Sequence, residues 1–136
     1  PALEHGAVNT RLEQRDHQLS RDEEQVDKYI ADPYCGFLFT GAGYREMFRG
    51  LKRLNRLEDL KKMNPRMPVL FFSGDHDPVG SMGKGVEKVA QQFRQAGMQD
   101  VTVHLYEEGR HEMFNEINHH EVENDLVMWL KEHAKG

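Results

Sequence analysis

Residues 68–73 (PVLFFS) are a nearly unbroken apolar run, and with no polar alternation the run suits a β-strand covered on both faces. Residues 85–96 then carry Val86, Val89, Ala90 and Phe93 at helical spacing, with Gly97 placed to end the helix. A second strand is predicted over Val101–Tyr106, and a final helix over His119–Ala134 with Val122, Leu126, Trp129 and Leu130 on one face. The order strand, turn, helix, strand, loop, helix is a βαβ unit with a helix behind it. Its strands should be parallel, with a right-handed crossover. Two parallel strands cannot cover themselves, so the pattern also predicts further strands outside this chain.

Ahead of this unit the pattern is helical. Ser20 reads as an N-cap and Glu23, three residues on, as its capping-box partner. The helix they open should cover residues 21–31, with Val26, Tyr29 and Ile30 inward, until Asp32-Pro33 stops it. PYCGFLFTGAG is apolar and glycine-bounded, a short strand or a buried loop. Its Phe37, Leu38 and Phe39 are expected to pack under a helical lid, with lining of a substrate entrance as the alternative. Tyr44, Phe48, Leu51 and Leu54 predict a helix over 43–55, and Leu57, Leu60 and Met63 a shorter one that Asn64-Pro65 and Pro68 end. The chain thus divides into a polar connecting segment (1–19), a helical cap or lid (20–64) and an α/β core segment (65–136).

Composition narrows the reading. A chain of 136 residues is about one domain's worth, and a compact one could bury roughly two thirds of its unfolded surface. Hydrophobic residues at 38% and charged residues at 30% are polar for a free-standing domain, as expected of a thin core. A net charge of −5 argues against a nucleic-acid partner, which needs a basic face. No apolar run approaches the ~20 residues of a membrane span. The single cysteine, Cys35, cannot form an internal disulfide; nothing points to secretion, and the cytoplasm is the expected location. Pro1 and the absence of a charged-then-apolar leader lead to the expectation of a fragment, a processed chain or one piece of a nicked protein.

The candidate chemistry lies just past the two strands, at the edge where open parallel sheets collect ligands and catalytic groups. The turn SGDHDPVG offers Asp75 and Asp77, with Pro78 stiffening the backbone after Asp77. Asp77 could orient an imidazole, or both aspartates could merely cap the turn. His111, in the loop after the second strand, lies one strand–helix–strand step beyond Asp77. Adjacent strands about 4.8 Å apart can bring such a pair into hydrogen-bond reach; a surface or packing histidine is the alternative. Together they read as two thirds of a Ser-His-Asp triad whose serine is not in this chain. Ser20, Ser73 and Ser81 lack the G-x-S-x-G setting, and in this architecture the serine precedes the acid and the histidine. Cys35 precedes Asp77 but follows no clear strand, and suits an inert thiol better than a nucleophile. Asp75, His76, Asp77, His111, Glu112, His119 and His120 offer ligands to a metal. However, His111-Glu112 lacks the second histidine of the zinc-protease motif, and His119-His120 should point in two directions; no metal is expected.

The stretches PVLFFSGDHDPVG, LYEEGRHEMFNE and EVENDLVMWL resemble the C-terminal half of α/β-hydrolases of the monoacylglycerol lipase and lysophospholipase type, serine aminopeptidase S33-like. SRDEEQVDKYIADPYCGFLFT, followed by helix, is similar to that group's helical cap, so the resemblance covers nearly the whole chain and is weakest over the first ~20 residues. It implies the C-terminal part of an α/β-hydrolase fold, with Asp77 as triad acid and His111 as triad base. It implies a carboxylic ester hydrolase that needs no cofactor and acts on small-molecule esters or lipids. The N-terminal part of the same hydrolase, a partner in the site, would bring the serine and the oxyanion hole; the chain alone should be inactive. The alternative is a non-catalytic module that self-associates, as a homo-oligomer, through its open sheet edge.

Overall fold

A computed structural model describes residues 18–36, 38–54 and 56–134. Most of the connecting segment, and Phe37, lie outside the described residues. Three helices come first: α1 (Glu23–Ala31), α2 (Gly41–Leu54) and the single turn α3 (Leu57–Leu60). The α/β part follows as β1 (Val69–Gly74), α4 (Lys84–Gln95), β2 (Val101–Tyr106), a 3-10 turn (Met113–Asn115) and α5 (His119–His133).

β1 and β2 pair in parallel, from Val69 against Val101 to Gly74 against Tyr106. The two strands therefore end level, and their C-terminal turns emerge side by side. Side chains alternate across the sheet. Phe71 meets Phe93 of α4 edge-on, with ring centroids 5.0 Å apart. Phe72, on the other face, packs against the buried cluster of Tyr106, Met113 and Val122, which joins β2, the 3-10 turn and α5. Helices thus cover both faces, as the unbroken apolar pattern of β1 requires. The unit is a parallel strand–helix–strand with a further helix behind it.

The first half departs from expectation in two places. Ser20 does not cap α1. Asp22 does, accepting from the Gln25 N–H at 3.2 Å. The Ser20 hydroxyl is buried elsewhere, donating to the Asn115 carbonyl at 2.6 Å and accepting from the Asp22 N–H at 2.9 Å. A contact 95 residues away has won over the local capping rule. Leu38 and Phe39 are not packed under a lid but are exposed, Phe39 touching Tyr44 edge-on. The helix expected over 43–55 is present as α2, with its periodic face uncovered: Phe48, Leu51 and Leu54 are all exposed, and no residue of this helix is buried. Among the described helices none is long and apolar enough to cross a membrane.

Candidate active site

Two glycines bring the strand-end turns together. A Cβ on Gly74 would lie 1.9 Å from the Gly109 carbonyl oxygen, and one on Gly109 would lie 2.9 Å from the Gly74 Cα. Only residues without side chains allow this backbone contact. It is fastened by hydrogen bonds from the His76 N–H to the Gly109 carbonyl (3.0 Å) and from the N–H groups of Asp75 and Gly109 to the Tyr106 carbonyl (3.0 and 3.2 Å).

Within the first turn Asp77 is held from several sides. Its N–H donates to the Gly74 carbonyl at 3.3 Å, and its own carbonyl accepts from the Met82 N–H at 2.8 Å. Its Oδ1 accepts from the Val79 N–H at 2.8 Å. Its Oδ2 has Ser73 Oγ at 3.5 Å, and a Cβ on Gly80 would come within 3.0 Å of it. The carboxylate is therefore fixed and buried, with 4% of the residue exposed.

The second turn carries His111, whose Nδ1 lies 3.1 Å from Asp77 Oδ2. A carboxylate can only accept, so the proton of this bond sits on Nδ1 and the lone pair of the neutral ring is left on Nε2. Nε2 has no hydrogen-bond partner among the described residues, and the side chain is 44% exposed. The arrangement is a buried acceptor behind an imidazole whose free nitrogen can take up a proton. The backbone of His111 is clamped as well. Its N–H donates to the Gln18 carbonyl at 3.2 Å, and that of Glu112 to the Leu19 carbonyl at 2.8 Å.

The other candidates stand apart from this pair. Asp75 turns to His76, Oδ1 to Nδ1 at 2.6 Å, and this hydrogen bond holds the Asp75 carboxyl below its ordinary range. Burial, helped by Asp32, pushes the Cys35 thiol up and disfavours the thiolate a nucleophile needs. Ser81 is held in the left-handed region at φ 54, on the turn that carries Asp77. His119 and His120 do not point in two directions: their rings meet edge to face at 3.9 Å. With Glu123 they bring one ligand atom each to within 4.8 Å of one another, the one such group among the described residues. Its members His120 and Glu123 are exposed and already paired, Nδ1 to Oε2 at 3.2 Å.

Two features of the site went unread in the sequence. One is the glycine pair, signalled by SGD and EGR at matched strand ends. The other is Glu116, 0% exposed, whose Oε1 accepts from the Arg110 N–H at 2.8 Å just before His111. Nothing in its local sequence marks it.

The family model described as "Serine aminopeptidase, S33" matches residues 3–118. No curated protein matches the chain. Among solved structures, a highly thermostable carboxyl esterase from Bacillus coagulans, in complex with glycerol, is similar at 26% identity and a TM-score of 0.70. The likeness covers 81% of this chain and 36% of the esterase, so the chain spans little more than a third of that protein. A lipase in its open form is 36% identical over 56% of this chain and 24% of its own, with a TM-score of 0.49.

Proposed function

Because the chain belongs to the serine aminopeptidase S33 family, we propose that it is the acid- and base-bearing portion of a serine ester hydrolase. Asp77 is its triad acid and His111 its general base. The observation that carries the reading is the 3.1 Å bond between a buried Asp77 carboxylate and His111 Nδ1, which leaves Nε2 free. The nucleophilic serine and the oxyanion donors belong to a segment outside these 136 residues, the N-terminal part of the same hydrolase. In the first step Nε2 takes the serine proton as the serine oxygen attacks the ester carbonyl. The imidazolium, stabilised by Asp77, then gives that proton to the departing alcohol. Water repeats the cycle on the acyl-enzyme and frees the carboxylic acid, with no cofactor needed.

The substrate class we assign is a monoacylglycerol-like or lysophospholipid-like ester. Its support is the cap segment. Leu38, Phe39, Phe48, Leu51 and Leu54 leave an apolar surface open there, a chemistry suited to an acyl chain. The test is His111→Ala and Asp77→Asn in the complete hydrolase, assayed on short and long acyl esters and on aminoacyl amides. Ester turnover should fall about 10⁴-fold with the fold intact, by the precedent of other triads. Near-full turnover by either variant would refute the assignment. Cleavage of the amides alone would refute the substrate class.

One observation favours a second reading. Among the described residues each strand has a single neighbour, so both outer edges are open to pairing. If the chain persists as a self-associating module, light scattering at high concentration will show a dimer or larger. Intact mass under denaturing conditions separates the two readings, since a serine-bearing piece would appear as a second, larger species.

A further inference from the structure

Two carboxylates are buried among the described residues, Asp77 and Glu116. The mechanism proposed above uses the first and leaves the second unexplained. Glu116 is saturated with donors. Its Oε1 accepts from the backbone N–H groups of Arg110 (2.8 Å) and Arg21 (3.2 Å). Its Oε2 accepts from Arg21 Nε (3.0 Å) and from the Ile117 N–H (3.2 Å). A carboxylate has about four lone-pair sites, and all are taken here. The guanidinium of Arg21 supplies the balancing charge a buried carboxylate requires.

The donors come from two places that matter to His111. Arg110 is its immediate neighbour. Arg21 ends the segment 18–21, whose Gln18 and Leu19 carbonyls take the N–H groups of His111 and Glu112. Ser20, between them, ties the same segment to the Asn115 carbonyl. One ion pair, with its carboxylate fully buried, therefore holds the histidine loop on its own side and also holds the strip of chain that clamps it. That strip leads directly into α1, the first helix of the cap segment.

We propose that Glu116 and Arg21 are a positioning pair for His111, docking the lead-in to the cap against the histidine loop so that the imidazole meets Asp77. The inference rests on the triad reading and adds to it residues that touch no substrate. A positioning residue acts through geometry, and a displacement of about 1 Å at a reacting group can cost about 10²-fold in rate. It should do so without weakening substrate binding.

The test uses the complete hydrolase with Glu116→Gln, Arg21→Gln and the double variant, alongside His111→Ala. Kinetics are read as kcat and KM separately, and the low-field Nδ1–H proton signal of His111 is followed by NMR. Glu116→Gln keeps the shape but not the charge. It should lower kcat about 10–100-fold, leave KM within about twofold, and broaden or lose the Nδ1–H signal. The double variant should be no worse than the poorer single one, as coupled residues behave. Glu108→Gln, which changes only the solvent-side contact of Arg21, should leave kcat unchanged. If Glu116→Gln does not fold, the more accessible Arg21 decides, and Arg21→Gln must show the same drop in kcat. A folded Glu116→Gln or Arg21→Gln with full kcat and an intact Nδ1–H signal, beside a dead His111→Ala, overturns the positioning pair and leaves the triad standing. An active His111→Ala overturns the triad itself.

Discussion

Gly74→Ala is the sharpest perturbation of the contact that builds the site. The new methyl would stand 1.9 Å from the Gly109 carbonyl oxygen, 2.0 Å from its carbonyl carbon and 2.6 Å from the Arg110 nitrogen. All three are backbone atoms, so no side chain can swing aside. Ordinary contact begins near 3.4 Å, and the two turns must therefore part by about 1.5 Å, well past the repulsive wall. Arg110 is in the contact and His111 follows it, so the Asp77–His111 bond, now 3.1 Å, stretches beyond hydrogen-bond range. Overpacking of this kind costs about 1–3 kcal/mol, and the lost alignment of a catalytic group about 10²-fold in rate. Two assays on the complete hydrolase read the two effects: urea denaturation for stability and ester turnover for alignment. Gly50→Ala is the matched control, because a Cβ there meets nothing within 4 Å. If Gly74→Ala keeps both its denaturation midpoint and its turnover, backbone contact at the glycine pair does not set the geometry of the site.

The control carries a prediction of its own: Gly50 lies inside α2, and alanine should raise helix stability by about 0.5–1 kcal/mol, visible as a higher helical signal; an unchanged or lower signal would count against it. Met113→Ala should cost about 2–5 kcal/mol, since Met113 is 4% exposed in the cluster with Tyr106 and Val122; a loss under 1 kcal/mol would mean the cluster is not a core. Burial, and after it the bond to Asp125 Oδ2, raises the Tyr106 hydroxyl far above its ordinary pKa of 10.0. The folded state keeps that proton after the unfolded chain has lost it. The stabilisation is thus complete below pH 10.0 and is lost as pH rises towards the folded value. Unfolding followed by denaturant at rising pH should show this fall for the native chain and not for Tyr106→Phe; identical slopes would refute it.

The second half of the chain was legible because its apolar pattern has one solution. A six-residue run with no polar alternation must be covered on both faces, and β1 is so covered, by Phe93 of α4 on one side and the Val122 cluster of α5 on the other. β2 falls on the residues expected, Val101–Tyr106. The register that levels the two strand ends also explains why Asp77 and His111 could be paired from spacing: one crossover separates them and both sit just past a strand. The first half was less legible for a matching reason. The spacing of Phe48, Leu51 and Leu54 specifies an apolar face but not what lies against it, and here that face is uncovered. Ser20 shows the opposite failure, a local signal overruled by a distant partner. Glu116 gave no signal at all, because its meaning depends on Arg21, 95 residues earlier in the chain.

Under the proposed triad reading, the same residues account for the difference in exposure between Asp77 and His111. An aspartate that orients an imidazole must not move or solvate itself, and Asp77 is walled by Ser73, Val79 and Gly80. A general base would have to reach a substrate, so its ring could not be buried to the same depth; 44% of the His111 side chain is open. An exposed ring on a loop would wander if only one hydrogen bond held it. The restraint is therefore moved to the backbone, where Gly109 seats the loop on Gly74, the Gln18 carbonyl holds the His111 N–H, and Glu116 holds Arg110. Each of these acts on the main chain within two residues of His111, and none is hydrogen-bonded to Nε2. Rigidity at the backbone with freedom at the ring face is what a general base on a loop requires. It also means that changes in the segment 18–21 should alter rate sooner than they alter affinity.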